Sequence, residues 1–126
     1  MKNTIISFFI FFMVFAFVTI YNNKLTTFCN NVLNTSNELE ELLCKENWQK
    51  SYEKTLELKK LMSKGFKDIS IYINHENVDN LNTEVLKLTQ FVKVKSNGDA
   101  LSTIHAIKCF AEYLKELEEI NLINIF

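Results

Sequence analysis

Apolar positions along the chain fall into two regimes. From Thr4 to Tyr21 they are continuous: TIISFFIFFMVFAFVTIY carries no charge, and within it only Ser7 and Thr19 break the run. From Leu25 onward they recur three and four residues apart, the period of a helix that buries one face. Leu25, Phe28, Val32, Leu39, Leu42 and Leu43 continue a helix out of the apolar run. Thr35-Ser36-Asn37 interrupts that stripe as a break or a cap, since Thr35 and Glu38 have capping-box spacing. A second helix is predicted to open at Glu46-Asn47-Trp48 with Asn47 as its cap. It carries Trp48, Tyr52, Met62, Phe66, Ile69 and Ile73 on one face, widened by Leu58 and Leu61. Val78, Leu81, Val85, Leu88 and Val92 give the third helix the cleanest seam. After Ser96-Asn97-Gly98-Asp99, the positions Ala100, Ile104, Ile107, Ala111 and Leu114 repeat that spacing on a fourth helix to about Glu119.

Two hairpins follow, turning at Glu46-Asn47 and at Asn97-Gly98. A shift of fifty-two residues lays Trp48 on Ala100, Tyr52 on Ile104, Thr55 on Ile107 and Met62 on Leu114. Phase matches rather than residues, as any stack of two amphipathic hairpins would produce. The predicted fold class is all-α: an N-terminal transmembrane helix followed by a small antiparallel helical bundle of two helical hairpins.

Eighteen helical residues from Thr4 to Tyr21 rise ~27 Å, about the thickness of a hydrocarbon core. Tyr21, Asn22, Asn23 and Lys24 form an interfacial collar. Phe15-Ala16-Phe17-Val18-Thr19-Ile20 places bulky residues where a signal peptidase needs small ones, so the run reads as an uncleaved anchor. A buried core helix would show a polar stripe, and Ser7 and Thr19 do not form one. The expected division is a membrane anchor over 1–24 and a bundle domain over 25–126. Lys2 and the α-amino group outweigh Lys24 by one charge, which favours a bundle outside the cytoplasmic membrane in a single-pass cell-membrane protein.

Composition removes several function classes. Formal net charge is −1 and all fourteen basic residues are lysine, so nothing suggests a nucleic-acid footprint or bidentate phosphate recognition. Proline is absent and only Gly65 and Gly98 are glycine, which leaves no material for a phosphate-binding loop. Cys29, Cys44, Cys109, His75 and His105 have no metal-site spacing. His105 and Cys109 share a helical face but supply two ligands where zinc needs four, so His105 reads as a partly exposed helix residue and Cys109 as a small core filler. Cys29 and Cys44 lie ~22 Å apart on one helix, beyond disulfide reach. Glu41 with Lys45, and Glu46 with Lys50, have the favourable i, i+4 order of surface pairs. The cluster Glu112, Glu116, Glu118 and Glu119 reads as a solvated face. No catalytic, cofactor-binding or metal residue is assigned, and an enzyme is not expected.

One stretch carries wider chemistry. INHENVDNLN holds helix-cap residues together with His75 and Glu76. The N-terminal span, Glu46-Asn47-Trp48, the HENVDNLN turn, Asp99-Ala100-Leu101 and the terminal INLINIF together resemble domain-of-unknown-function family 4363 over nearly the whole chain. The resemblance implies a small membrane-anchored protein of spore-forming Gram-positive bacteria. It marks Trp48, the turn residues His75, Glu76 and Asp79, and the tail residues Asn124, Ile125 and Phe126 as recurrent features. It implies no activity, cofactor or partner. The candidate interaction or structural-motif residues are therefore Trp48, His75, Glu76, Asp79, Asn124 and Phe126. The expected function is a protein-interaction or scaffold module at the cell envelope, meeting the lipid bilayer through Thr4–Tyr21 and an unidentified protein through the bundle. The alternative is an extracytoplasmic ligand-, pH- or metal-sensing module using the His75 turn. The tail Ile120–Phe126 is expected to dock on the bundle.

Overall fold

The computed structural model describes residues 1–70 and 73–125, including the side chains of all of these except 118 and 120–125. Four helices account for the described chain: α1 (Lys2–Cys44), α2 (Trp48–Ile69), α3 (His75–Lys93) and α4 (Asn97–Ile125). α1 packs against α2 and α4, and α3 packs against the same two, while the backbones of the diagonal pairs stay apart among the described residues. That is a square, antiparallel, up-down-up-down bundle. The end of the bundle nearest the apolar stretch, where α2 and α4 finish and α3 begins, is called proximal here. The opposite end, with the α1–α2 and α3–α4 turns, is distal.

The feature that organises the molecule is the length of α1. Its 43 residues make one unbroken rod, ~65 Å long by helical rise. No residue from Met1 to Lys24 is buried, and the core begins at Leu25. α1 therefore contains a stretch long and apolar enough to cross a membrane, none of it covered by the rest of the protein. Thr35-Ser36-Asn37 does not break the helix as its polarity suggests. Thr35 and Ser36 are buried inside the bundle, and Asn37 faces outward to accept a hydrogen bond from Lys108 Nζ at 3.2 Å. Helix propensities differ by only a few tenths of a kcal/mol per residue here, so packing on both sides of α1 decides the outcome.

Nearly all predicted seams of α1, α3 and α4 are buried. Leu25, Phe28, Val32, Leu39 and Leu43 meet Val78, Leu81, Val85, Leu88 and Val92, and Ala100, Ile104, Ile107, Ala111 and Leu114, in the core. α2 differs from expectation. It ends at Ile69, before Ile73, and its buried stripe is Ser51, Thr55, Leu58, Met62 and Ile69. Trp48 is only half-buried against the core and Tyr52 is 37% exposed. Two small hydroxyl residues take the stripe because their own helix satisfies them. Ser51 Oγ donates to Asn47 O at 2.7 Å and Thr55 Oγ1 to Tyr52 O at 2.6 Å. Their small volume leaves little room between helix backbones for a large ring, so the bulky aromatics sit on the flanks.

With that stripe established, the internal correspondence shifts from fifty-two residues to forty-nine. Val32, Leu39 and Leu43 then fall on Leu81, Leu88 and Val92, and Ser51, Leu58 and Met62 on Ala100, Ile107 and Ala111, all buried. The turns correspond as well. Glu46 and Lys95 are the positive-φ residues outside glycine among those described, at 54° and 57°. In the first turn, Glu46 N donates to Leu43 O and Asn47 N to Leu42 O, both at 3.0 Å. In the second, Lys95 N donates to Val92 O at 3.1 Å and Ser96 N to Phe91 O at 2.9 Å. This is the same Schellman closure twice. The second reversal thus centres on Lys95 rather than on Gly98, which lies in the first turn of α4 with nothing near the position of a Cβ. The left-handed residue must follow the helix cap directly, and Gly98 is too far along the chain to fill that place.

Polar clamps fasten α1 to both neighbours. Lys54 of α2 reaches Glu38 at 2.6 Å and also holds Glu57, one turn along its own helix, at 2.8 Å. From α4, Lys108 binds Glu40, and Lys115 donates to Asn30 Oδ1 at 3.1 Å. The expected pairs Glu41–Lys45 and Glu46–Lys50 do not form, because α1 stops at Cys44 and Glu46 lies in the left-handed turn. α4 continues past Glu119 to Ile125, a further ~15 Å beyond Lys115 by helical rise, which brings its end level with α1 near Ile20.

Two outcomes are expected from this geometry. Replacing Glu46 or Lys95 with glycine removes the cost of a side chain in the left-handed region. Each change should raise stability by roughly 0.5–1 kcal/mol in thermal unfolding of the full chain in detergent. Lys54 has its pKa raised above the ordinary 10.5, first by its hydrogen bond to Glu38 and then by that to Glu57. A pKa higher folded than unfolded means that the clamp stabilises fully below pH 10.5 and is lost as pH rises through the folded value. Both carboxylates are more than half exposed, so solvent screens the clamp. Lys54→Met should cost only about 0.2–1 kcal/mol at neutral pH. The stability curves of the variant and the parent should converge above pH 10.5.

Candidate functional site

The proximal end collects most of what is distinctive in the bundle. Here α1 from Ile20 to Asn31 and α2 from Glu57 to Ile69 diverge around an open groove of about 720 Å³. Its floor is apolar, made by Ile20, Phe28, Leu61 and Ile69. Gly65 lies under the Phe28 ring, and a Cβ added at Gly65 would overlap that ring. Glycine is the residue that lets Phe28 lie flat against the α2 backbone, which sets the depth of the groove.

Lys24, Lys60 and Lys64 line the rim, with Glu57 and Asp68 as its carboxylates. Glu57 is already engaged by Lys54, which does not line the groove. None of the three rim lysines is in an ion pair. The rim is therefore net positive, with Asp68 as its uncommitted acid. Lys59 and Lys67, both exposed, add to the positive charge of this half of α2.

The turn residues singled out from sequence sit at the same end. Asn74 caps α3, its side chain accepting from Glu76 N at 3.1 Å. His75 and Glu76 occupy the first turn of α3 and Asp79 the next, and all three are exposed. They are not among the residues that line the α1–α2 groove. His75 with Asp79, and Glu76 with Asp79, are four and three residues apart, so the three exposed side chains share a surface of α3 without enclosing a site. Asn124 belongs to the last turn of α4, also proximal, with its side chain outside the described set, and Phe126 lies outside the described residues. Trp48, by contrast, opens α2 at the distal end, where Asn47 caps the helix by accepting from Lys50 N at 3.3 Å. The candidate residues therefore divide between opposite ends of the bundle and do not make one site.

The thiols and imidazoles are dispersed. Cys29 is buried, whereas Cys44 and Cys109 are exposed, and no disulfide joins any of the three among the described residues. Cys109 is thus not a core filler: the buried positions around it are Ile107 and Ala111, and helical rotation turns 109 outward. His105 is exposed as well, with Nε2 3.7 Å from the Cys109 sulfur. Among the described residues no three His, Cys, Asp or Glu side chains converge on a common point. Glu112, Glu116 and Glu119 are exposed to solvent.

The groove is the element that the sequence reading missed. Gly65 was its one signal, an isolated glycine within a helical pattern, which marks a close approach more often than a break.

Comparison with other proteins places this architecture. Neither a curated protein nor a solved structure matches the chain. The family model described as domain of unknown function (DUF4363) matches residues 19–125, covering all four helices of the bundle, and the chain belongs to that family.

Proposed function

We propose that this protein is a single-pass, membrane-anchored and non-catalytic interaction module, whose bundle stands on the extracytoplasmic face of the cell membrane and works by contact with another protein. The observation that carries the reading is the continuity of α1 from an uncovered apolar rod into the bundle core. Phe8, Phe9, Phe11, Phe12 and Phe17 are each more than half exposed, as are Ile5, Ile6 and Ile20. An apolar surface of this extent is far larger than a soluble monomer leaves in water, and a bilayer covers it without any further element. Sidedness rests on Lys2 with the α-amino group against Lys24. The lysines of α2 reach the same level only through folding, so they do not enter that balance.

An unjointed connection suits a contact function. A flexible tether would let the bundle sample all orientations, whereas a continuous helix presents one tip and one set of faces at fixed height. The distal turns stand farthest from the bilayer in this arrangement, with Cys44 exposed beside one of them. The sensing alternative centred on His75 has less behind it, because the turn is exposed and, among the described residues, no group of three metal-ligating side chains forms there.

The test uses the native thiols of the full chain in intact cells, with a membrane-impermeant maleimide bearing a photoreactive group. Cys44 and Cys109 are expected to react without permeabilisation and Cys29 only after denaturation, and irradiation is expected to give a discrete protein adduct through Cys44. Reaction only after permeabilisation would overturn the sidedness. Labelling without any adduct would overturn the contact function.

A further inference from the structure

We propose that the groove between α1 and α2 is a binding site for one anionic phospholipid, its phosphate held by Lys24, Lys60 and Lys64 and an acyl chain lying on the floor of Phe28, Leu61 and Ile69. The inference rests on the membrane-anchored reading and adds a ligand to it. Three observations converge. The floor is continuous with the apolar rod, because Ile20 belongs both to the groove and to the last turns of the membrane-crossing stretch. A lipid tail can therefore pass from bilayer to protein without crossing a polar surface. The rim carries three lysines outside any ion pair against one uncommitted carboxylate, Asp68, while Glu57, which would also oppose a phosphate, is occupied by Lys54, so the rim stays net positive. The height also fits. By helical rise Lys24 lies ~5 Å beyond Tyr21, Lys64, beside Gly65 at the level of Phe28, ~12 Å, and Lys60 ~18 Å, so the two lysines of α2 reach back toward the bilayer to meet a phosphate near Lys24. Headgroups occupy a layer several ångströms thick outside the hydrocarbon, within reach of long lysine side chains.

The chemistry selects charge rather than a particular headgroup. Lysine is a compact point cation that binds phosphate without the planar geometry of a guanidinium, and this chain contains no arginine. A zwitterionic lipid brings its own ammonium to a rim that is net positive, where Asp68 is the uncommitted acid able to receive it, and so gains less. A phosphate ester with net negative charge gains from each lysine, as juxtamembrane basic clusters do.

The experiment reconstitutes the full chain into nanodiscs containing equal parts phosphatidylglycerol and phosphatidylcholine and counts the lipids retained by native mass spectrometry. One phosphatidylglycerol per chain is expected, retained at least about fivefold over phosphatidylcholine, since one favourable lysine contact alone gives that factor. The triple variant Lys24→Gln, Lys60→Gln, Lys64→Gln should lose the preference. The equal-charge control Lys87→Gln, Lys93→Gln, Lys95→Gln, on and just beyond α3, should keep it. A large excess of inorganic phosphate should not displace the lipid, because phosphate lacks the chain that the floor receives; displacement would overturn the acyl-chain half of the site. Incorporation without any preference, or equal loss in both triple variants, would overturn the site while leaving the membrane anchor intact. A chain that stays out of the nanodiscs would overturn both. Retention of a second copy in place of lipid would assign the groove to self-association and overturn the proposal.

Discussion

Everything in this structure depends on the continuity of one helix, α1. The first half of α1 has no buried residue, while from Leu25 the same helix packs against α2 and α4 along its length. A helix cannot rotate one half against the other without breaking hydrogen bonds. The face that Leu25, Val32, Leu39 and Leu43 turn to the core therefore dictates the direction in which Ile20 and Lys24 point. The groove at the proximal end is a consequence: it lies where the rod emerges from its apolar run and α2 comes to its end.

Small side chains make the packing around α1 possible. Ser36 of α1 and Ser51 and Thr55 of α2 are buried, and Gly65 takes the Phe28 ring against its backbone. The other hairpin places Val85, Ala100 and Ile104 at the positions corresponding to the three hydroxyl residues. The two hairpins thus share a backbone plan, down to the hydrogen bonds of their turns, while differing in how their cores are filled. Hydroxyls that bond to their own helix cost little when buried, which is why polarity alone did not exclude Ser51 and Thr55 from the core.

How much was legible follows from the same point. The buried seams of α3 and α4 are legible because Val78 to Val92 and Ala100 to Leu114 keep strict three-four spacing with apolar residues at every step, although α4 itself starts earlier and runs further than that seam. α2 was misread because hydrophobicity pointed to Trp48 and Tyr52, whereas packing volume chose Ser51 and Thr55. The fifty-two-residue shift inherited that error. The turn at Gly98 was drawn from the usual preference for glycine, but a Schellman closure sets its left-handed residue by position and holds Lys95 there. No periodicity could reveal the groove, since its floor joins Ile20 and Phe28 to Leu61 and Ile69 across two helices. The apolar stretch of α1 and the bundle thus form one continuous helical post rather than a tethered head.

The stiffness of that post is most directly measured by amide hydrogen exchange of the full chain in lipid nanodiscs, resolved across residues 18–28. If α1 is continuous, amides from Ile20 to Leu25 exchange slowly and at rates that join smoothly to those of Phe28 and Val32 in the bundle core. Fast exchange confined to Tyr21–Lys24 would reveal a hinge where the rod enters the bundle, and would contradict the rigid coupling on which the placement of the groove and of the distal tip depends.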